Sequence, residues 1–139
     1  EKLYNIVIGL YELSKNPWSP ERLCWVISQQ LEKLYLETDF FVYMIGFVPG
    51  QPFLGDLDKD LHHDRLDTPR VKINKGSVGI VEKFCTIYTF ESPGGWNIIG
   101  KTPLDLFNIN KKNTSMLSPG DTVKFKSITK KDLSSFKNE

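Results

Sequence analysis

Beyond residue 70, the sequence alternates short runs of β-forming residues with turns rich in glycine and proline. The turns include Ser92-Pro93-Gly94-Gly95 and Ser118-Pro119-Gly120-Asp121. The β runs between the turns are Val71–Asn74, Val78–Val81, Cys85–Phe90, Trp96–Lys101 and Thr122–Ile128. Strands this short, separated by such turns, are typical of a small barrel or sandwich and not of a helical bundle.

The first half of the chain adds two strands, one helix and one long polar stretch. Leu3–Leu10 and Phe40–Val48 are rich in β-formers, so each predicts a largely buried strand. A serine–proline N-cap followed by apolar residues at helical spacing predicts one principal helix at about 20–36. The polar stretch from Gln51 to Asp67 is too long for a hairpin loop and is expected to be irregular.

Size and charge limit the function classes. At 139 residues the chain has the length of one domain, which we place at 1–139. Its 18 basic and 17 acidic residues give a formal net charge of +1, so neither a nucleic acid nor a membrane partner is indicated.

The two cysteines lie in apolar runs and predict reduced, buried thiols. With no membrane-span or signal-peptide pattern, we expect a cytoplasmic location. The start at Glu1, just before a strand, leaves open that the chain is a fragment.

Three patterns resemble phosphate or metal sites, but each lacks a required feature. Gly50–Gly55 has the glycine spacing of a phosphate loop, yet Asp56 stands where lysine is needed. Aspartates between 56 and 67 imitate a calcium loop, but Leu61 replaces its turn glycine. His62-His63 has no third ligand at suitable spacing, so no metal site is predicted. The pair keeps an acid–base role open because histidine titrates near neutrality.

Four blocks of sequence carry a family resemblance. They are Val42–Gly55 (against the pattern GF-x-PGF-x-YL), Thr68–Ile80, Glu91–Pro103 and Pro119–Phe125. In this order and spacing they resemble the B-subunit family of bacterial 5-oxoprolinase, also described as allophanate hydrolase subunit 1 and as a sporulation-kinase inhibitor. The resemblance implies a mainly β fold, a cyclophilin-like closed β-barrel without prolyl isomerase chemistry. It also implies that the family's small N-terminal α/β domain is absent here.

The resemblance implies a function carried out in a complex. The chain would be one component of an ATP-dependent 5-oxoprolinase, converting 5-oxoproline to glutamate together with the homologous C subunit of the enzyme, joined by its A subunit. ATP is implied for the complex, and no cofactor is expected on this domain alone. Whether the domain is itself enzymatic stays open, and hydrolase activity is expected only from the complex.

Two alternatives stay open beside the 5-oxoprolinase. One is a regulatory module that inhibits a sensor histidine kinase, which an exposed aromatic surface contributed by Trp18, Trp25 and Phe136 would favour. The other is a component of a urea carboxylase or allophanate hydrolase system.

The chain departs from the family pattern around the expected pocket. Gln51 stands at the second phenylalanine of the first block. The strand that usually reads GGQTGIYP is Glu82–Thr89 here, so Phe84 and Cys85 replace a glutamine and a threonine. Because loss of hydrogen-bonding side chains leaves polar ligand atoms unpaired, these changes predict an altered or lost ligand.

Arg70 is the main candidate for ligand binding, since its guanidinium can hold a carboxylate or phosphate in a bidentate way. A surface salt bridge is an equally weighted interpretation of this residue. Lys101 is a second, weaker anion contact. The other candidates line the pocket with backbone or small side chains: Pro49, Gly50, Ser77, Ser92, Gly94, Gly95 and Trp96. We expect Arg70 in a concavity beside the Pro49-Gly50 loop and the 92–96 turn. No nucleophile–base pair is recognisable, so the catalytic residues stay unassigned.

Overall fold

The computed structural model describes residues 2–10 and 32–135, and it confirms a mainly β fold. Helical segments in the described part are α1 (32–37), α2 (Lys130–Ser135) and a 3-10 turn at Lys59–Leu61. The strands are β1 Leu3–Leu10, β2 Asp39–Ile45, β3 Pro52–Gly55, β4 Arg70–Ile73, β5 Ser77–Val81, β6 Phe84–Ile87, β7 Ser92–Gly94, β8 Asn97–Lys101 and β9 Thr122–Ser127.

Seven strands form one strongly curled sheet in the order β1-β8-β5-β6-β3-β2-β9. β1 also pairs with β9, in parallel, from Leu3 opposite Thr122 to Ile8 opposite Ser127. The other pairings in this sheet are antiparallel. β4 and β7 form a separate antiparallel pair, which we call the β4–β7 hairpin for brevity, although β5 and β6 lie between the two strands in the chain. The sheet therefore has an inner, concave face and an outer face, and the hairpin is the one further pair of strands in the described residues.

The inner face holds the hydrophobic core, because alternate residues of each strand point toward it. On β9, Val123 and Phe125 are buried, and on β6 Cys85 and Ile87 are buried. Tyr35 from α1 covers this core, with ring centroids 5.0 Å from Phe40 and 4.9 Å from Phe125. The core includes Ile6, Tyr35, Phe40, Val42, Leu54, Val78, Ile80, Cys85, Ile87, Val123 and Phe125.

The strand predictions are confirmed, with small shifts at the ends. β2 ends at Ile45 and not at Val48, because Phe47 adopts a φ of 68° that an extended strand cannot contain. The predicted helix at about 20–36 lies mostly outside the described residues, and its last turn corresponds to α1. Cys24, Trp18, Trp25 and Phe136 also lie outside the described residues.

Two segments differ from the sequence prediction. The stretch from Gln51 to Asp67 is not irregular throughout, since β3 forms at Pro52–Gly55 between β2 and β6. Pro52 is tolerated as the first residue of this strand, where a missing N–H disturbs the ladder least. The predicted turn at 92–95 contains β7, which pairs with β4.

Candidate functional site beneath the hairpin

The β4–β7 hairpin and the chain that follows it cross the outer face of the curled sheet. A Cβ atom added at Gly94 would lie 2.6 Å from the Tyr88 hydroxyl oxygen and 2.9 Å from Cδ1 of Ile73. Gly79 on β5 is approached in the same way, because its added Cβ would lie 3.1 Å from Cβ of Trp96. The absence of a Cβ atom at both positions permits this close approach. We call the region between the hairpin and the outer face of β5 and β6 the hairpin site.

Tyr88 lies at the centre of the hairpin site. It is 2% exposed, and its backbone continues the pairing of β6 with β5, with Tyr88 N donating to Ser77 O at 2.9 Å. Gly76 N in turn donates to Tyr88 O at 2.7 Å. Burial raises the pKa of Tyr88 to about 12, although the nearby charge of Arg65 lowers it. The hydroxyl therefore keeps its proton near neutral pH and can donate a hydrogen bond.

Arg65 is a second cation of the hairpin site that sequence reasoning missed. Its Nε atom would lie 2.5 Å from a Cβ at Gly95, and Leu66 N donates to Gly95 O at 2.9 Å. The segment before β4 is thus held against the turn after β7. No sequence pattern signals this contact, because the two residues are thirty positions apart and Arg65 adjoins a polar histidine pair.

The structure places Arg70 next to the 92–96 turn, whereas the predicted concavity shared with the Pro49-Gly50 loop stays a prediction. Arg70 on β4 is the register partner of Gly94 on β7, and Ile73 is the partner of Ser92. Gly95 is buried and Trp96 is half-buried, with its ring 5.9 Å from that of Phe53. The Arg70 side chain is exposed. Its predicted role in holding an anion stays a prediction.

Lys101 and Ser77 approach the hairpin site from β8 and β5. They are register partners, and Ser77 is bonded through its backbone to Tyr88 on the next strand. Adjacent strands lie about 4.8 Å apart, so Lys101 is roughly 10 Å from the Tyr88 backbone. Lys101 is half-buried and its stem lies alongside Gly76.

The Pro49-Gly50 loop joins the same region from β3. Thr89 donates a hydrogen bond from Oγ1 to Pro49 O at 2.7 Å. Gly50 has a φ of 74°, and a Cβ there would lie 2.6 Å from Cβ of Phe107, so both backbone angle and packing require glycine. Thr89 therefore ties the Pro49-Gly50 loop to the segment that carries Tyr88.

Phe84 and Cys85 both depart from the family pattern, but Cys85 does not lie at the expected pocket. Cys85 belongs to the inner core with 0% exposure, and its Sγ lies 3.0 Å from the Tyr35 hydroxyl. Burial raises the pKa of the Cys85 thiol to about 12, which makes the thiol unreactive near neutrality. Phe84 is half-buried, and Lys83 Nζ lies 5.5 Å from its ring centroid. The Cys85 departure thus belongs to core packing.

A different departure does lie at the hairpin site. Gln51 is 2% exposed, and its Nε2 donates to Thr86 Oγ1 at 3.0 Å. Thr86 Oγ1 donates to Pro52 O at 2.8 Å. Because Cys85 and Ile87 face the core, Thr86 between them faces outward, on the same side as Tyr88. Sequence alone could not reveal this pair, since its residues are 35 positions apart.

The histidine and aspartate patterns have local structural roles. His62 Nε2 lies 2.9 Å from Leu57 O, and His63 Nδ1 lies 3.1 Å from Asp64 O. Asp58 caps the 3-10 turn by accepting from Asp60 N at 2.9 Å. Among residues 2–10 and 32–135, no group of three histidine, cysteine, aspartate or glutamate side chains is arranged to hold a metal ion.

The chain is similar to known proteins over most of its length. Residues 22–117 match the family model described as carboxyltransferase domain, subdomain C and D. The chain belongs to this family. It is 40% identical, over 94% of its length, to the B subunit of 5-oxoprolinase from Bacillus subtilis. The resemblance to the 5-oxoprolinase B-subunit family predicted from the sequence blocks is thereby confirmed.

The chain is also similar to two further proteins. It is 27% identical over 88% of its length to urea amidolyase of Lachancea kluyveri, of which it covers 8%. Conserved uncharacterized protein PH0987 from Pyrococcus horikoshii has a crystal structure that superimposes with a TM-score of 0.81 at 35% identity, over 95% of this chain and 62% of that one. The chain spans about half of the Bacillus subtilis relative, 51% of its length. Within the described residues, no helix is long and apolar enough to cross a membrane.

Proposed function

We propose that the chain is one component of an ATP-dependent 5-oxoprolinase and acts together with the A and C subunits of that enzyme. The observation that carries this proposal is the 40% identity to a 5-oxoprolinase B subunit across 94% of the chain. The name of that relative implies an enzyme of several subunits, so the chain contributes one part of the machinery.

Within this complex, the hairpin site binds the substrate or the partner loop that carries it. Arg70 and Arg65 lie at the outer edge of the site, where they attract the carboxylate of 5-oxoproline. The Tyr88 hydroxyl keeps its proton and is available as a donor. At Gly79 and Gly94 the backbone lies in close contact with Trp96 and Tyr88, which fixes the hairpin over the sheet. ATP is consumed by the complex and is not assigned to residues of this chain.

The finer description of the fold is part of the same proposal. The ring of pairings in which β1 contacts both β8 and β9 supports a cyclophilin-like closed barrel. An ATP-dependent complex of this kind is expected to work in the cytoplasm.

Reconstitution tests the proposed function. The chain is co-expressed with the A and C subunits, and ATP-dependent glutamate release from 5-oxoproline is measured with each component omitted in turn. We expect activity only from the full set, and none from the chain alone. Equal activity with and without the chain would contradict the proposal, as would turnover by the isolated chain.

A urea carboxylase or allophanate hydrolase component is the second candidate function. The match to a urea amidolyase over 88% of the chain favours it. The same reconstitution decides between the two, with urea and allophanate offered beside 5-oxoproline. Release of product from urea or allophanate, and none from 5-oxoproline, would replace the first proposal by the second.

A histidine-kinase inhibitor is the remaining alternative. Its support is the exposure of apolar side chains at Phe47, Val71 and Ile109, which are 73%, 91% and 77% exposed. Such residues equally suit the interface with another component of the enzyme. Co-purification with the C subunit, but not with a kinase, supports the enzyme complex, and the reverse supports the inhibitor.

A further inference from the structure

Three loops at one end of the curled sheet present apolar side chains to solvent. Phe47 lies in the loop between β2 and β3, Phe90 follows β6, and Ile109 lies in the segment between β8 and β9. Phe47 and Ile109 are 73% and 77% exposed, and Phe90 is 41% exposed. Single exposed apolar residues are normal on a protein surface, so the question is whether these three lie together.

Phe107 joins the three loops. A Cβ atom added at Gly50, in the loop that carries Phe47, would lie 2.6 Å from Cβ of Phe107. The ring centroid of Phe107 is 5.7 Å from that of Phe90. Ile109 follows two positions later in the same segment as Phe107. The apolar side chains therefore belong to one surface, which we call the loop patch: Phe47, Phe90, Phe107 and Ile109.

The loop that carries Phe47 is closed by its own hydrogen bonds and holds the aromatic ring outward. Its backbone bonds run from Gly46 N to Gln51 O at 3.0 Å, from Val48 N to Gly46 O at 2.9 Å and from Gln51 N to Val48 O at 3.2 Å. Phe47 adopts a φ of 68°, which is unfavourable for a residue with a Cβ atom, and its exposed ring gains little packing in return. A ring fixed in this way loses little conformational entropy on binding, which suits an interface anchor.

The border of the loop patch carries an excess of positive charge. Lys111 and Lys112 are exposed, follow Ile109 in the same segment and form no ion pair within residues 2–10 and 32–135. The carboxylates in these loops are compensated by lysines, in the pairs Lys75–Asp105 and Lys72–Glu91. The loop between β2 and β3 has no charged residue. The surface is thus apolar at its centre and basic along one border.

A second copy of this chain does not suit the loop patch. The exposed parts of the patch offer on the order of 300–400 Å² of apolar area, taking about 150–250 Å² for a complete aromatic side chain. A stable interface needs about 800 Å² from each partner, so polar contacts around the patch have to contribute as well. In a symmetric dimer the same basic border would come from both copies, and the lysines would repel one another.

A lipid bilayer fits the loop patch less well than a protein does. With 18 basic and 17 acidic residues, the chain has little overall attraction to anionic lipid. Phenylalanine rings also lack the polar group by which tryptophan and tyrosine are held at a membrane surface. The features fit a protein whose apolar pocket takes the Phe47 ring and whose border carries aspartate or glutamate opposite the lysines.

We propose that the loop patch is the docking surface for a partner protein with an apolar pocket for Phe47 and carboxylates opposite Lys111 and Lys112. The identification of this partner as the C subunit rests on the proposed function. Thr89 Oγ1 donates to Pro49 O at 2.7 Å, so the docked partner lies next to the segment that leads from β6 into the hairpin site.

Binding of the purified chain to the purified C subunit tests this surface. Calorimetry gives the dissociation constant for the wild type, for Phe47→Ala and for Phe47→Asn, in which asparagine tolerates the positive φ and keeps the loop shape without the ring. We expect both variants to weaken binding by about 10- to 100-fold, as for loss of an aromatic anchor. Val71→Ala is the matched control, because Val71 is 91% exposed on β4 outside the loop patch, and its affinity should stay within about twofold of the wild type.

Charge reversal tests the acidic border of the partner. Lys111→Glu combined with Lys112→Glu should weaken binding by about tenfold at low salt, and the difference from the wild type should shrink as screening increases. Lys59→Glu combined with Lys126→Glu makes the same change in net charge at the opposite end of the sheet, after β3 and near the end of β9. This control should stay within about twofold of the wild type.

The outcomes separate this inference from the proposed function. Weakened binding in both Phe47 variants, with a salt-dependent loss in the Lys111–Lys112 variant, supports the loop patch. Wild-type affinity in either folded Phe47 variant overturns the loop patch and leaves the proposed function standing, and unchanged affinity in the lysine variant overturns the acidic border. Failure of the wild-type chain to bind the C subunit, with and without the A subunit, overturns both proposals.

Two further measurements decide against the other occupants. Sedimentation that shows a dimer dispersed by Phe47→Ala, in place of binding to the C subunit, would assign the loop patch to a second copy and overturn the inference. Phe47-dependent pelleting with vesicles of phosphatidylcholine and phosphatidylserine, again in place of binding to the C subunit, would assign it to a membrane and overturn the inference too.

Discussion

The two faces of the curled sheet differ in whether their buried polar side-chain atoms are hydrogen-bonded. On the inner face, the polar atoms of Tyr35 and Cys85 bond to each other at 3.0 Å inside a cluster of apolar side chains. On the outer face, beneath the β4–β7 hairpin, Gln51 Oε1 and Ser92 Oγ have no partner within the described residues. The inner face is therefore complete in itself, whereas the hairpin site has unmet hydrogen-bonding capacity.

This difference assigns separate roles to the two faces. Burial of apolar area drives folding, so the inner face dominates stability. Unpaired buried polar atoms oppose folding, so on the outer face a ligand, a partner or ordered water is needed to complete them. Substitutions on the inner face should therefore change the free energy of unfolding, and substitutions at the hairpin site should change binding.

The largest expected effect is on the inner face. Phe40→Ala removes a fully buried ring that contacts both Tyr35 and Phe125, so the free energy of unfolding should fall by about 3–5 kcal/mol. Urea denaturation followed by fluorescence measures it. Phe47→Ala is the matched control, since its ring is 73% exposed and its loss should change stability by less than about 1 kcal/mol. Similar losses of unfolding free energy in Phe40→Ala and Phe47→Ala would contradict the assignment of stability to the inner face.

Alkaline pH should weaken the inner face next. Burial raises the pKa of Cys85 from 9.0 to about 12, and burial also raises that of Tyr35. The unfolded chain then loses these protons first, so stability is fully present below pH 9 and declines as the pH rises toward 12. At about 1.4 kcal/mol per pKa unit, titration of the Cys85 thiol alone should lower the free energy of unfolding by on the order of 4 kcal/mol across this pH range.

Stability measured by urea denaturation at several pH values checks this. In Cys85→Val the decline between about pH 9 and 10 should flatten, because the unfolded tyrosines titrate only near pH 10. A wild-type stability that is constant or rises from about pH 9 to 11 would show that the core tolerates a thiolate. Native Cys85 should also resist alkylation by iodoacetamide at about pH 8.

The third effect lies on the outer face and concerns binding. Arg70→Ala should weaken 5-oxoproline binding, or activity of the complex, by about 2–3 kcal/mol because a charge-assisted contact is lost. Stability should change by about 1 kcal/mol or less, since the side chain is exposed. Paired calorimetric and denaturation measurements separate these quantities. If Arg70→Ala is destabilised but binds 5-oxoproline with normal affinity, Arg70 stabilises the fold and does not bind the ligand.

The smallest effect tests how the hairpin is attached. Gly94→Ala places a Cβ 2.6 Å from the Tyr88 hydroxyl and should lift the hairpin, with a loss of about 1–3 kcal/mol in stability. Gly120→Ala is a control for position: its Cβ meets no atom within 4 Å, so it should destabilise only through backbone strain at a φ of 94° and leave exchange of β4 and β7 unchanged. If hydrogen exchange of β4 and β7 is unchanged by Gly94→Ala, the hairpin does not rest on Tyr88.

The inner face could be predicted well because strand alternation is a local property. Val123 and Phe125, or Cys85 and Ile87, occupy alternate positions that can be read directly from the chain. β3 was missed, because Pro52 within a polar stretch indicates a loop, and only pairing with β2 and β6 makes the segment extended.

The outer face was harder to predict because its contacts join distant segments. The glycines of the 92–96 turn are predicted to let a ligand approach, and in the structure the side chains of Tyr88 and Arg65 lie against them. Arg70 pairs with Gly94 in this region, and its role in binding stays a prediction. The roles of Arg65 and of the Gln51–Thr86 pair depend on contacts across 30 and 35 residues. No local pattern encodes such contacts, and of the pair only Gln51 stands out in the sequence, as a departure from the family pattern.

The measurement that tests the central claim most directly is an amide chemical-shift titration of the 15N-labelled chain with 5-oxoproline, alone and in the complex with the A and C subunits. We predict saturable shifts at the amides of Gly94, Gly95 and Trp96, with the core strand β9 unaffected. Arg70→Ala should weaken the saturation without altering the reference spectrum of the core. Saturable shifts confined to residues away from the hairpin, or equal saturation in Arg70→Ala, would contradict the assignment of binding to the outer face.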